Sequence, residues 1–472
     1  MSDFFARHAE RLGKWLLALI TALVVLSPLI IRIISGQPVV IGEESFYNLR
    51  VSHGFFDKPL NDYNILNPYH ILLTPFSFLG LFGIIILQLA LGLASAFTAR
   101  KILKKMGFSS EKTYIILAFF VLSPPFIYAY THLTYHSFSL LLMLLSILFI
   151  NKLACAENSS RKVKVLASIT FLLLGMFSLV HSLFVVFIAL VYFISKRDKS
   201  KPMAESMQNF YISLFSLVGS GLFFLINQPD KLLFYVEFIK SPGLGFFSDL
   251  GAEAGFGIFT MLMLVFGFFS SWRDKEKHYL AYSGLFITLA TSIVFERFIN
   301  IYANIFVSYF AGIGFYEIIK SEWNVKEIKN FTILLVLCGM LFSTISYSKN
   351  ITLGFPQADL IEAVKHSDGV VLAHPKYAYL LEYYGKTAYI NRKNFYDVVN
   401  DFNNIIESSN LEMLKKTLSS QNIDSIIITE EMKEVYWHGK ETRLLLLLKN
   451  TKTFIKVYDN NSTQVYKINL AD

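Results

Sequence analysis

Charge is scarce in this chain. Only 17% of its 472 residues are Asp, Glu, Lys or Arg, where a soluble domain carries about a quarter, and that excludes a wholly water-soluble protein. Cysteine is scarcer still: Cys155 and Cys338 are the two present, one expected in a cytoplasmic loop and one within a membrane span. No disulfide framework is implied. No internal repeat or low-complexity tract is visible. Neither a GxGxxG turn nor a phosphate-binding loop occurs, so nucleotide binding has no support. Apolar residues abound instead: 54% of the chain is hydrophobic, with Phe 45 and Tyr 25, and the mean hydropathy is +0.48. They form long blocks rather than helical stripes, and a bilayer core needs about 20 apolar residues per helical span. The blocks recur to about residue 346, and the mixed composition of 347–472 is enough for one small soluble domain. The sequence therefore predicts a polytopic α-helical membrane domain over 1–346 and a water-soluble α/β domain over 347–472.

Spans are expected near 15–34, 76–99, 114–130, 138–150, 165–179, 183–194, 210–226, 256–269, 279–295, 301–319 and 331–346, about eleven in all. The first is too long for a secretory leader and has no clear cleavage site, which makes it a retained anchor. Lys and Arg decide the orientation. The N-terminus and alternate loops hold about 22 of them, and the opposite short loops about 5. The N-terminus is then cytoplasmic, and an odd number of spans puts the C-terminal domain outside. Treating 165–194 as two short spans keeps the Lys196–Lys201 run inside. The net charge of +8 thus marks a topology in the lipid bilayer, not a nucleic-acid partner.

Polar groups in the loops on the opposite side carry the candidate chemistry. The first loop reads Gly42-Glu43-Glu44-Ser45-Phe46-Tyr47-Asn48-Leu49-Arg50. Adjacent carboxylates beside an apolar helix end are partly desolvated, which suits a proton acceptor. The same acids also suit a helix N-terminus, where they complement the dipole. Further along, Asp62 to His70 reads as an interfacial segment feeding the second span. The second loop holds His132 and His136, four apart, which on a helix would share a face. Two histidines alone make a poor zinc site, so hydrogen bonding to a polar ligand or to loop carbonyls is the better reading. His181 has the same ambiguity. The loop from Ser241 to Glu253 is rich in Gly and Pro, as a substrate gate would be, while its Asp249 and Glu253 also fit plain solvation. Glu296-Arg297 at a membrane edge fits a functional pair or a mutual ion pair, and Arg suits phosphate oxygens.

Beyond residue 346 strands alternate with helices. Helices are expected over 359–366, 376–384, 395–406, 411–419 and 442–449, strands over 369–373, 387–390 and 423–429, and a hairpin from 454–458 and 464–468. That order implies a parallel sheet with an antiparallel edge.

Together these features resemble a GT-C membrane glycosyltransferase, the superfamily of oligosaccharyltransferase catalytic subunits and of protein and lipid-A sugar transferases. Glu44, Tyr47 and Arg50 fall on the acid, aromatic and basic positions of the first-loop motif of archaeal oligosaccharyltransferase-like proteins. Read as an acid pair, Glu43-Glu44 is also similar to the Asp-Glu motif of other branches. Ser248-Asp249-Leu250-Gly251 is similar to the flexible fifth loop, and Arg297-Phe298, followed by Ile301-Tyr302, resembles the Arg that contacts donor phosphate. The resemblance implies inverting transfer of a sugar or glycan from a polyprenyl- or dolichyl-(pyro)phosphate donor to an exterior protein, lipid or glycan acceptor. It makes Glu44 and Glu43 catalytic. Arg297, His132 and His136 would bind the donor phosphate, and Tyr47, Arg50, Asp249 and Glu253 the substrates. A divalent metal, Mg or Mn, is the cofactor it suggests. The second loop, 131–136, lacks the carboxylate of the family's second acidic motif, however. His374-Pro375-Lys376-Tyr377-Ala378 stands where oligosaccharyltransferases carry Trp-Trp-Asp-Tyr-Gly. A single-sugar transferase or a divergent relative with another acceptor fits these departures. Two other classes stay open: a lipid or solute transporter or flippase, and a non-catalytic scaffold with the GT-C fold.

Overall fold

The computed structural model describes residues 2–54, 67–155, 161–177, 186, 187, 190, 214, 218, 246–294, 298–352, 354, 356–390, 395–460 and 462–469. They fall into two compact units. One comprises Met1–Ile31 and Pro59–Thr352, the other Arg32–Lys58 and Leu353–Asp472.

The first unit is helical. Among the described residues five helices are long and apolar enough to cross a membrane: Glu10–Ile34, Gly80–Lys105, His136–Leu153, Ile299–Lys320 and Lys326–Thr352. A further pair, Ser110–Val121 followed by Pro124–Thr131, is apolar enough when taken together but is bent by 60° at the break. Helices Arg161–Gly175, Ile258–Ser271 and Lys275–Val294 overlap three more of the expected spans but are not among the helices long and apolar enough to cross. The spans expected at 183–194 and 210–226 lie largely outside the described residues. The chain is an integral membrane protein.

The break has a local cause. Pro124 and Pro125 open the second segment, where a missing N–H costs nothing, but in a continuous helix each would clash with the preceding turn. Exposed backbone carbonyls are expensive in lipid, and here they are satisfied. Asn304 donates to the Phe120 carbonyl at 3.0 Å, and the Thr344 hydroxyl donates to that of Leu122 at 2.6 Å. Both donors come from neighbouring long helices. The Ile299–Lys320 helix is buried nearly all round, as a central helix should be. It lies so close to Ile258–Ser271 that a Cβ on Gly267 would stand 1.8 Å from the Phe310 carbonyl, and one on Gly314 2.5 Å from that of Met263. Small residues permit such an approach in membranes.

The second unit is built on a five-stranded sheet. Strands β1 (Val370–Leu372), β2 (Thr387–Ala388), β3 (Ser425–Thr429), β4 (Phe454–Asp459) and β5 (Thr463–Ile468) lie in the order β2-β1-β3-β5-β4. β1 runs parallel to β2 and β3, and β5 is antiparallel to both β3 and β4. The strand alternation sorts side chains to two faces. Leu372, Ile426 and Ile428 face a core with Phe402, Leu418 and Trp437. Val371 and Ile427 face another with Val364, Leu380, Leu381 and Phe46. One helix, Glu430–Trp437, was not expected from the pattern. The Thr429 side chain caps it, accepting from the Met432 N–H at 3.3 Å, and two acids occupy its first turn. The helix expected at 442–449 contracts to Leu444–Leu447.

Residues 32–58 belong to this sheet unit through identifiable bonds. Arg32, fully buried, donates to the Gly354 and Pro356 carbonyls at 2.8 and 2.5 Å. Gln37 accepts from the Ala358 N–H at 2.8 Å, capping the Ala358–His366 helix.

Candidate active site

The acid pair opens the Glu43–His53 helix. Gly42 precedes it at φ 85°, a left-handed value that glycine adopts without strain. Both carboxylates stand in the first turn, half-buried, where a negative charge complements the helix dipole. Positions 43, 47 and 50 share one face of a 3.6-residue helix, and Glu44 stands about 100° round from Glu43. That shared face lies on the Ala378–Tyr383 helix. The Tyr47 and Tyr379 rings are 4.9 Å apart, Phe46 meets Tyr383 edge-on at 5.5 Å, and Arg50 forms an ion pair with Glu382.

Beside this helix, the loops leaving the carboxyl ends of β1 and β3 carry further polar groups. The Tyr377 hydroxyl lies 3.0 Å from the Glu431 carboxylate and 3.1 Å from the Thr429 hydroxyl. Lys376 pairs with Glu431 at 3.1 Å. Burial pushes the Tyr377 hydroxyl well above its ordinary pKa, and the charges of Glu431 and Glu43 add to that push. Burial likewise lowers the His374 imidazole. It would raise the Glu431 carboxyl, but Lys376 and the Tyr377 hydroxyl outweigh it and hold that group below its usual range.

In the membrane unit the two loop histidines converge, but not as the spacing suggested. His132 ends the Pro124–Thr131 helix in an extended conformation, and His136 begins the next helix. A turn separates them, closed by the Thr134 N–H donating to the His132 carbonyl at 2.9 Å, so no common helix face exists. His132 stacks on Tyr128 at 4.1 Å, and Tyr128 on Phe298 at 5.3 Å. His136 packs against Phe298 from another side at 5.1 Å. Its Nδ1 lies 2.8 Å from the Tyr302 hydroxyl, which is 2.6 Å from Ser139. Gln88 donates to the His132 carbonyl at 3.0 Å. His136, Tyr302, Ser139 and Gln88 are almost wholly buried, where only hydrogen-bonded polar groups are tolerated cheaply, whereas His132 is half-buried. His136 therefore packs directly against the residue that follows Arg297 in the chain, and His132 reaches it through the Tyr128 ring. Arg297 itself lies outside the described residues, as do Glu296, His181 and residues 55–66.

The loop after residue 245 is closed upon itself. The Ser248 N–H donates to the Phe256 carbonyl at 3.1 Å. One Asp249 oxygen accepts from the Ile258 N–H at 2.7 Å, at the start of the Ile258–Ser271 helix, and the other from the Ser343 hydroxyl at 2.7 Å. The Glu253 carbonyl accepts from the Tyr347 hydroxyl.

Among the described residues no three or more of His, Cys, Asp and Glu gather as a metal site. Imidazoles and hydroxyls in the second loop are not the donors a hard divalent cation takes, which are mainly carboxylates and carbonyls. Among the described residues the second loop therefore does not fit Mg or Mn. Sequence reasoning did not single out Tyr379, Glu382 or Glu431, and it named Phe298 and Tyr302 only as the residues that accompany Arg297. The tyrosine-rich run from Tyr377 to Tyr384 was the available signal of an aromatic docking face.

No protein-family model matches the chain, and no curated protein matches it by sequence. Solved structures do. It is similar to the oligosaccharyltransferase AglB of Archaeoglobus fulgidus in complex with an inhibitory peptide and a dolichol-phosphate. The TM-score is 0.58 at 11% identity, over 98% of this chain and 75% of that one. It is also similar to ArnT of Cupriavidus metallidurans bound to undecaprenyl phosphate, with a TM-score of 0.55 at 12% identity over 96% and 97% of the two chains. The chain has the fold of both neighbours.

Proposed function

We propose that this protein is a membrane glycosyltransferase that moves a sugar or glycan from a polyprenyl-(pyro)phosphate donor to a protein, lipid or glycan acceptor. Its reaction lies on the outer face, with the N-terminus cytoplasmic and the sheet unit outside. The observation that carries the reading is a GT-C fold whose first loop presents two adjacent carboxylates at the head of a docked helix. Neighbours of the same fold hold lipid phosphates.

In this mechanism Glu44, with Glu43 beside it, accepts the proton of the acceptor's nucleophilic group. The nucleophile attacks the anomeric carbon from the face opposite the phosphate and forms the new bond. The carbon–oxygen bond to the phosphate breaks, and its electron pair leaves with the lipid phosphate, inverting the sugar. Arg297 neutralises the charge that grows on that phosphate, the electrostatic part of catalysis. His132 and His136 bind the same phosphate. Asp249 and Glu253 serve substrate binding by holding the loop that bears them closed. The phosphate ester supplies the driving force, so no nucleotide is required. The test is transfer from radiolabelled polyprenyl-phosphate sugars by the purified protein in liposomes. A new glycosidic bond supports the reading, and binding or movement of the lipid without bond formation contradicts it.

A further inference from the structure

The helix that carries the acid pair cannot hold its own place. It has eleven residues and no side-chain N-cap, and isolated helices shorter than about 12–15 residues are marginal in water. Contacts with the rest of the sheet unit fix it instead, three of them at distinct points along its length. Phe46, 2% exposed, enters the core beneath β1 and β3 and sets its depth. Tyr47 against Tyr379 resists rotation. Arg50 pairs with Glu382 at the far end, about 10 Å along the axis from Glu43 at 1.5 Å per residue. Glu382 is largely covered, its side chain 16% exposed, so the pair is not a loose surface contact of the kind that contributes little.

Rotation is the coordinate that matters. Adjacent helical residues differ by about 100°, so a turn of that size would exchange Glu43 for Glu44. We propose that Arg50 and Glu382 are positioning residues, whose ion pair fixes the rotation and axial setting of the acid-bearing helix. They thereby determine which carboxylate faces the acceptor. Arg50 then acts through the helix and not by gripping substrate. This inference rests on the transferase reading above.

The experiment uses the full-length protein in liposomes with Arg50→Glu, Glu382→Arg and the double reversal. It measures kcat, KM for each substrate and the thermal unfolding midpoint. Each single reversal is expected to lower kcat by about 10²-fold, the scale of an ångström's misplacement of a catalytic group. Both KM values should stay within about threefold, and the double reversal should recover most of kcat and the midpoint together. Glu382→Gln, which keeps the shape and removes the charge, serves where a reversal prevents insertion, with the same fall in kcat at unchanged KM. Losses that simply add in the double variant, or a rise in one KM at unchanged kcat, overturn the positioning role and return Arg50 to substrate contact. A wild-type chain that transfers no sugar from any donor overturns the functional reading instead.

Discussion

The ring of Phe46 meets that of Tyr383 edge-on, their centroids 5.5 Å apart. One comes from the loop after the first span and the other from a helix that follows β1. Their contact makes the acid-bearing helix part of the sheet unit's hydrophobic core rather than an appendage of the membrane helices. Edge-to-face pairs add to the gain from burial alone, and the burial here is nearly complete.

Phe46→Ala should therefore cost the sheet unit about 3–5 kcal/mol, the usual range for deleting a buried aromatic side chain. Thermal unfolding of the full-length protein in detergent checks this, and the nearby Tyr47→Ala should cost less. A loss below about 1 kcal/mol, the scale of a surface change, would mean that the helix is held by something other than this core.

Tyr302→Phe removes the hydroxyl shared by His136 and Ser139. Leaving a buried ring nitrogen without that partner costs about 1–3 kcal/mol, readable as a lower unfolding midpoint. Because His136 serves the donor phosphate in this account, KM for the donor should rise about tenfold while KM for the acceptor stays unchanged. An equal change in both would separate the histidine from the donor.

His374 gives a pH dependence of known sign. Burial holds its pKa below the ordinary value near 6.5, so between the folded and unfolded values the unfolded chain binds more protons. Stability of the sheet unit then rises with pH through that window and falls as pH drops from about 6.5. His374→Gln should flatten the slope of the unfolding midpoint between pH 5 and 7. A slope unchanged in the variant would assign the titration to another group.

Much of this architecture was legible because it depends on short-range patterns. Apolar blocks marked the long helices, the run from Ile423 to Thr429 marked the central strand, and Asp459-Asn460-Asn461-Ser462 marked the hairpin. The acids at 43 and 44 announced a helix start. What stayed hidden depends on contacts between distant segments. Nothing near Arg50 signals a partner 332 residues away, and nothing near Arg32 shows that it will bind carbonyls at 354 and 356. The shared face that a helix would give His132 and His136 does not form, because one helix ends before His132 and the next begins at His136. Asp249 read as a loop carboxylate, yet it is bonded at 2.7 Å to an amide and a hydroxyl, a capping role that only the fold reveals.

The base assignment is tested most directly by Glu44→Gln in the liposome transfer assay, beside Arg297→Ala and the wild type. Glutamine keeps the shape and loses the proton acceptor. The account predicts no detectable glycosidic bond from Glu44→Gln with the unfolding midpoint unchanged. From Arg297→Ala it predicts a fall of about 10²-fold or more, expressed in use of the donor. Full transfer by Glu44→Gln would contradict it.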